Sequence, residues 1–377
     1  MKLQAVFRTT IAALLLAAAP AAAQLPAPAV SSPRPFRLGG YGGVVLGDAR
    51  YGSGPYRSDM LGAAVALLVS GSFGRASYFG EYEPASRTRE TWSGRFEDRA
   101  SSLERLYGES AFADALRLRV GRFLTPVGQW NEIHAEPLTW TALRPLTTYR
   151  PFSKSTTGFM LAGTVPLGLR DAGYAVFYSP FHVGGDGGQE TDFTSAAGGR
   201  LAVEVLPQLY IGASVLRYRA SRPQTADQED SVSTEVGSGE DGLPTGGTLP
   251  DQEQPDTREQ DPRPRTLLGA DASFSHGRLE LLAEGVAVSA SGGTEGRPAE
   301  RGGFVQGAFR VLPATHLVLR AEHYGPIGVP GTDLNVYTLG AAVRPNPHLT
   351  LKLDRQLTSR RSSRVADGWF ASASAIF

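Results

Sequence analysis

From Phe36 to Phe377 the sequence repeats one pattern: segments of about ten residues in which apolar and polar side chains alternate. In Leu349-Thr350-Leu351-Lys352-Leu353-Asp354 the leucines fall on one face of an extended strand and Thr350, Lys352 and Asp354 on the other. Leu279, Leu281 and Ala283 oppose Glu280 and Glu284 in the same way, as Leu317, Leu319 and Ala321 oppose Arg320 and Glu322. Helical periodicity is nowhere sustained. Short turns are expected at Ala113-Asp114, Leu206 to Gln208, Ser275 to Arg278, Pro313 to Thr315 and Pro345 to Pro347, with weaker signals at Gly71 to Gly74 and Pro166 to Asp171. Longer polar connections lie between them, so that short and long links alternate along the chain. Together they join about sixteen strands.

Alternation alone fits a soluble sandwich as well as a barrel in a membrane. The amino terminus separates the two. Lys2 and Arg8 flank an apolar run from Ile11 to Ala19, and Ala21-Ala22-Ala23 supplies small residues before Gln24. Residues 1–23 therefore read as a secretory signal peptide cleaved near Ala23. The longest later apolar run without charge, Met60 to Val69, contains Gly62 and is half of the roughly 20 residues a spanning helix requires. A mature chain that enters a membrane must then do so as a closed barrel, which alone satisfies strand backbones in lipid. Residues 24–35, rich in proline and alanine, read as an extended periplasmic lead-in, and residues 36–377 as the barrel.

A transmembrane antiparallel β-barrel places short turns in the periplasm and long loops outside. On that count the third external loop runs from Leu124 to Phe152. It holds Pro126, Pro137, Pro145 and Pro151 and two of the four tryptophans, Trp130 and Trp140. A loop so long and aromatic needs a surface to pack on, and the barrel lumen is the expected one. The strand before it alternates Leu116, Leu118 and Val120 with Arg117 and Arg119, and Arg122 closes it.

The candidate constriction consists of Arg117, Arg119 and Arg122 on the strand and Glu132, Glu136, Arg144 and Arg150 on the loop, with Lys154 beyond it. Two readings stay open. Acids opposite arginines across a narrow bore set up a transverse field for passing solutes; alternatively, the same charges pair and anchor the loop to the wall. Trp130 and Trp140 are expected to pack as clamps. The acidic stretch from Arg222 to Arg263 reads as a solvated loop without calcium-loop spacing. No cysteine, zinc-helix histidine pair or phosphate loop is present, so neither a metal nor a cofactor is expected. Balanced charge, 37 basic against 37 acidic residues, gives no reason to invoke nucleic acid. For a hydrolase the one nameable group is His134 with Glu132 or Glu136.

The carboxyl end, with Trp369, Ala371, Ala373, Ala375 and Phe377 at alternate positions, resembles the last strand of bacterial outer-membrane barrels. The resemblance implies Gram-negative outer-membrane localisation, contact with membrane lipid and lipopolysaccharide, and Trp369 and Phe377 as a signal to the barrel-assembly machinery. The inward third loop resembles the porin superfamily. Gly121-Arg122-Phe123-Leu124-Thr125-Pro126-Val127-Gly128 followed by Trp130-Asn131-Glu132 is similar to the phosphate-selective porin O/P-like proteins. These resemblances imply a non-enzymatic porin passing small polar solutes or ions, of a size in keeping with a homotrimer. The alternatives are a closed barrel with a structural or surface-binding role and, further off, a barrel hydrolase. The expected lumen face mixes Glu109, Asp271, Glu280, Glu284, Glu322 and Asp354 with Arg117, Arg119, Arg320 and Lys352, which departs from the cationic bore of a phosphate-selective channel.

Overall fold

The computed structural model describes residues 35–50, 57–84, 86–88, 97–99, 102–148, 151–168, 170–181, 193–220, 264–290, 300–325, 333–359, 365 and 367–377. The signal segment, nearly all of the lead-in and the acidic loop lie outside these residues. The first part of the wall comprises β1 (Arg37–Arg50), β2 (Arg57–Phe73), β3 (Ala76–Glu83), β4 (Ser86–Thr88), β5 (Glu97–Arg99), β6 (Ser102–Ala113) and β7 (Leu116–Leu124). After the inward loop come β8 (Ser155–Leu167), β9 (Arg170–Ser179), β10 (Phe193–Leu206), β11 (Leu209–Ala220) and β12 (Pro264–His276). The wall ends with β13 (Leu279–Ala290), β14 (Glu300–Leu312), β15 (Thr315–Gly325), β16 (Leu334–Asn346), β17 (Leu349–Thr358) and β18 (Asp367–Ile376).

Every neighbouring pair is antiparallel, and β18 returns to β1 in a register from Tyr41 opposite Ile376 to Arg50 opposite Asp367. The short strands β4 and β5 pair with each other, and β4 also meets β2, so they prolong β3 and β6 beyond an interruption at Pro84. Among the described residues the sheet is thus a closed antiparallel barrel of sixteen wall strands. Closure continues past β18: Gly40 and Phe377 exchange both backbone hydrogen bonds at 2.9 Å. The short turns fall within a residue or two of the expected ones, the Gly71–Gly74 turn shifting to Gly74-Arg75 and the Pro345–Pro347 turn to Pro347-His348; at Gly277-Arg278, Gly277 takes a φ of 61°.

The alternation resolves into two faces. Leu351, Leu353, Leu317, Leu319 and Leu281 are exposed on the outside, while Thr350, Lys352, Asp354, Arg320, Glu322 and Glu284 are buried within. Outward aromatics ring both ends: Tyr82, Tyr178, Tyr337 and Trp369 near the long loops, and Phe73, Phe112, Phe309 and Phe377 near the short turns. An apolar exterior of this extent is untenable in water and matches a hydrocarbon band with aromatic girdles.

Inside, the wall is not uniformly polar. Phe123, Met160, Phe177, Leu216, Leu267 and Val288 point inward and, with Val127 and Phe152 of the loop, form an apolar core in the lumen. These residues keep the strand parity of the lumen face but not its expected polarity.

Candidate functional site

Residues 125–148 leave the end of β7 and cross the lumen, and residues 151–154 lead into β8. Prolines and one glycine give this segment its shape. Gly128 turns the chain at a φ of 67°, α1 (Trp130–Ile133) makes a single helical turn, and Pro137 and Pro145 each precede or open a short 3₁₀ turn, Glu136–Leu138 and Leu146–Thr148. Asn131 staples the neck: its side-chain amide donates to the carbonyls of Thr125 at 2.8 Å and Lys154 at 2.9 Å. Thr125 adds a backbone bond to Lys154 and a hydroxyl bond to Ser153 at 2.6 Å.

Away from the neck, the wall supplies what the irregular backbone lacks. Carboxylates take its N–H groups. Glu284 accepts from Gln129 at 2.7 Å and also from Trp130, Glu322 accepts from Leu146 at 2.7 Å, and Asp354 accepts from Ala142 at 2.5 Å. Cations take its carbonyls. Arg320 donates to Leu143 at 2.8 Å, Arg344 to Leu138 at 2.9 Å, and Lys352 to Glu136 at 2.6 Å and Thr141 at 3.2 Å. Buried backbone groups left unmade would each cost about 1–3 kcal/mol, so mixed wall charge is what keeps this loop inside.

Both tryptophans are clamps in geometry. Trp130 packs edge-on against Phe304 of β14, with centroids 6.2 Å apart. Trp140 has Arg344 over one face at 3.7 Å and His316 at 4.3 Å, and its indole N–H donates to Glu280 at 3.0 Å. Trp130 is fully buried, whereas Trp140 is only partly so.

On the wall from β7 to β10 a space remains. It is a cavity of about 30 Å³ lined among others by Arg119, Leu124, Pro126, Glu132, Met160 and Arg200. Arg119 is held by Glu109, with contacts of 2.9 and 2.8 Å, and lies over the Tyr107 ring at 4.1 Å; Arg117 stands 4.0 Å from the same carboxylate. Arg200 grips Asp271 with two bonds of 3.1 and 2.5 Å. That pair spans the position of Gly212, where a Cβ would collide with both partners, so the glycine makes the bridge possible. Burial pushes the Glu132 carboxyl up to about 7, against the opposing pull of Arg200.

The other candidate residues are dispersed. Glu136 lies on the β1 and β17 side, where Gly43 leaves room for its carboxylate and Lys352 binds its carbonyl, and Arg144 is its charged neighbour. Arg122 does not join the inward arginines: its register partners are Leu106 and Thr157, which puts it on the outward face with Val120 and Phe159. Its place next to Gly121, whose φ is 129°, does not bring it inward. Arg150 lies outside the described residues. His134 is buried and faces neither Glu132 nor Glu136; its ring sits 3.6 Å from Glu81 and 3.0 Å from the Asn131 carbonyl. Burial and Lys154 hold it down to about 4, and Glu81 is already engaged by Tyr41 at 2.6 Å and Arg105 at 2.5 Å. With Lys154 bound to Glu104 at 2.6 Å, this is a buried ion cluster tying the loop to β3 and β6.

The fold is that of the porin-type outer-membrane barrel. OmpF of Salmonella typhi, solved with daunomycin, superimposes with a TM-score of 0.54 at 12% identity, over 91% of this chain and 97% of that one. The anion-selective porin of Comamonas acidovorans matches with a TM-score of 0.54 at 10% identity, over 91% and 100%. In-vitro folded OmpT of Vibrio cholerae, in trimer form, matches with a TM-score of 0.54 at 9% identity, over 91% and 100%. No family model matches the sequence, and comparison with curated proteins gives no match.

Asn131, Glu284, Asp271 and Arg200 were not singled out as site residues by the sequence reading, although Glu284 and Asp271 stood on its expected lumen face. The parity of Arg200, Asp271 and Glu284 is visible in the sequence, but the partners that give them a task are more than sixty residues away, while Asn131 bonds within the loop's own neck.

Proposed function

We propose that this chain is a narrow-bore diffusion porin of the Gram-negative outer membrane, passing water, ions and very small polar solutes without catalysis. The observation that carries this reading is the cavity beside the inward loop, whose lining brings Glu132 together with Arg119 and Arg200. Charges of both signs across a narrow space with low-dielectric walls act strongly on a crossing ion. The cavity's 30 Å³ has room for about two waters at ~10–15 Å³ each, so the space beside the loop admits only water-sized species. The mixed charge argues against a phosphate-selective channel of the O/P type. Assembly as a homotrimer is part of the same proposal, in keeping with the trimer form of OmpT.

A second reading, a closed barrel with a structural or surface-binding role, draws on the apolar core in the lumen and on the number of wall groups that bind the loop. Planar bilayers decide between them. The porin gives discrete conductance steps that persist across salts; a folded barrel silent in every salt establishes the closed form instead.

A further inference from the structure

The outer face of the barrel is apolar along most of β11, where Ile211 and Val215 are exposed. At its external end it changes: Arg217 and Arg219 follow on the same outward face, both exposed, while Leu216 and Tyr218 between and beside them are buried inside. Two residues apart on one strand face, the arginines start about 7 Å from each other. Their flanks are open and uncharged. Register sets Arg217 between Ala197 and Thr266, and Arg219 between Ser195 and Pro264. Among the described residues no carboxylate lies on the outward face of β10, β11 or β12, and neither guanidinium has an ion pair or hydrogen bond among them. Two other outward arginines behave differently: Arg301 approaches Asp333 at 3.9 Å, and Arg355 donates to Asp367 at 2.7 Å.

Height on the wall supplies the second argument. Arg219 stands ten residues along β11 from Leu209, which is about 26 Å along the normal at ~3.4 Å per residue and a tilt of ~40°. The apolar band of such a barrel is about 25 Å tall. Arg219 therefore reaches its external edge and Arg217 lies just below, on the hydrogen-bonding line that runs through Ala197 to the girdle residue Tyr178. Long cationic side chains at that depth extend toward headgroups, and unpaired ones need an anion to be favourable.

We infer that Arg217 and Arg219 form a binding site for a phosphate-bearing lipid headgroup of the external leaflet. A planar guanidinium offers a fork of N–H donors matched to phosphate oxygens, and two of them, with Thr266 opposite Arg217 on β12, grip one headgroup from the barrel side. The inference rests on the membrane placement proposed above but not on the lumen being open.

The test uses the full mature chain folded into phosphatidylcholine vesicles doped with lipid A or with lipid A stripped of its phosphates, and reads lipid retention after detergent extraction by mass spectrometry. The intact protein retains lipid A over its phosphate-free form, and soluble inorganic phosphate does not compete. The double variant R217Q/R219Q binds lipid A about thirtyfold more weakly, and R217K/R219K, which keeps the charges without the fork, restores only part of the loss. Equal retention by wild type and the glutamine variant, retention indifferent to the lipid's phosphates, or full competition by free phosphate overturns the site. Folding is monitored in the same samples by the heat-dependent gel shift of the barrel, so a variant that fails to fold is replaced by the single substitutions R217Q and R219Q, each of which must weaken retention. A barrel that folds yet never inserts into vesicles counts against the membrane placement; one that inserts and retains lipid A without conducting counts only against the open pore.

Discussion

Asn131 shows how much of the loop's order hangs on single side chains. Its amide donates to two carbonyls at the neck, and aspartate has the same shape without the donors. Asn131→Asp and Asn131→Ala should each cost about 1–3 kcal/mol of local stability, read as a large loss of amide-exchange protection across residues 125–133 while the wall strands stay protected. Glu132 belongs to a different argument, about charge. With its carboxyl pushed up to about 7, it is mostly neutral below that pH and charged above it. Under a salt gradient the reversal potential should move toward cation preference as pH rises through about 7. Glu132→Gln should flatten that dependence; an unchanged profile would remove Glu132 from the passage.

At the scale of elements, β7 is the strand on which the loop depends. Gly121 interrupts it at a φ of 129°, a conformation side chains rarely adopt, and a Cβ there would run into the Leu106 carbonyl and the Tyr107 backbone of β6. Gly121→Ala should destabilise the folded barrel by about 1–3 kcal/mol, measured by urea titration in vesicles. Gly108→Ala on the neighbouring strand, where a Cβ meets nothing within 4 Å, should be nearly neutral. The motif around Gly121 suggested a porin by resemblance; its physical content here is a strand that must pass close to its neighbour before releasing the loop.

For the whole molecule the loop fills the lumen, and in the proposed porin it also sets the bore. Deleting residues 127–148 and closing the gap with glycines removes the groups that bind Glu284, Glu322, Asp354, Arg320 and Lys352, but those side chains are themselves charged and take water in a widened lumen. The barrel should therefore survive, and single-channel conductance should rise several-fold over the intact protein. Loss of the folded barrel would mean instead that the loop is its core, which the inward cluster around Phe123 and Leu267 makes a fair contest.

Much of this was written in the sequence. Period-two alternation, turn residues and the alternation of short and long links are local properties, and backbone sterics reads them without help, which is why sixteen wall strands, seven turns and the two faces could be placed beforehand. The inward third loop followed from its length and aromatic content. Pairing across the lumen is different in kind. That Arg200 meets Asp271 over Gly212, that His134 turns to Glu81 instead of its neighbours on the loop, and that Arg122 faces outward depend on the register of closed strands and on where an irregular backbone finds its hydrogen bonds. Those are choices made between residues remote in sequence, and only the closed barrel brings them within reach of each other.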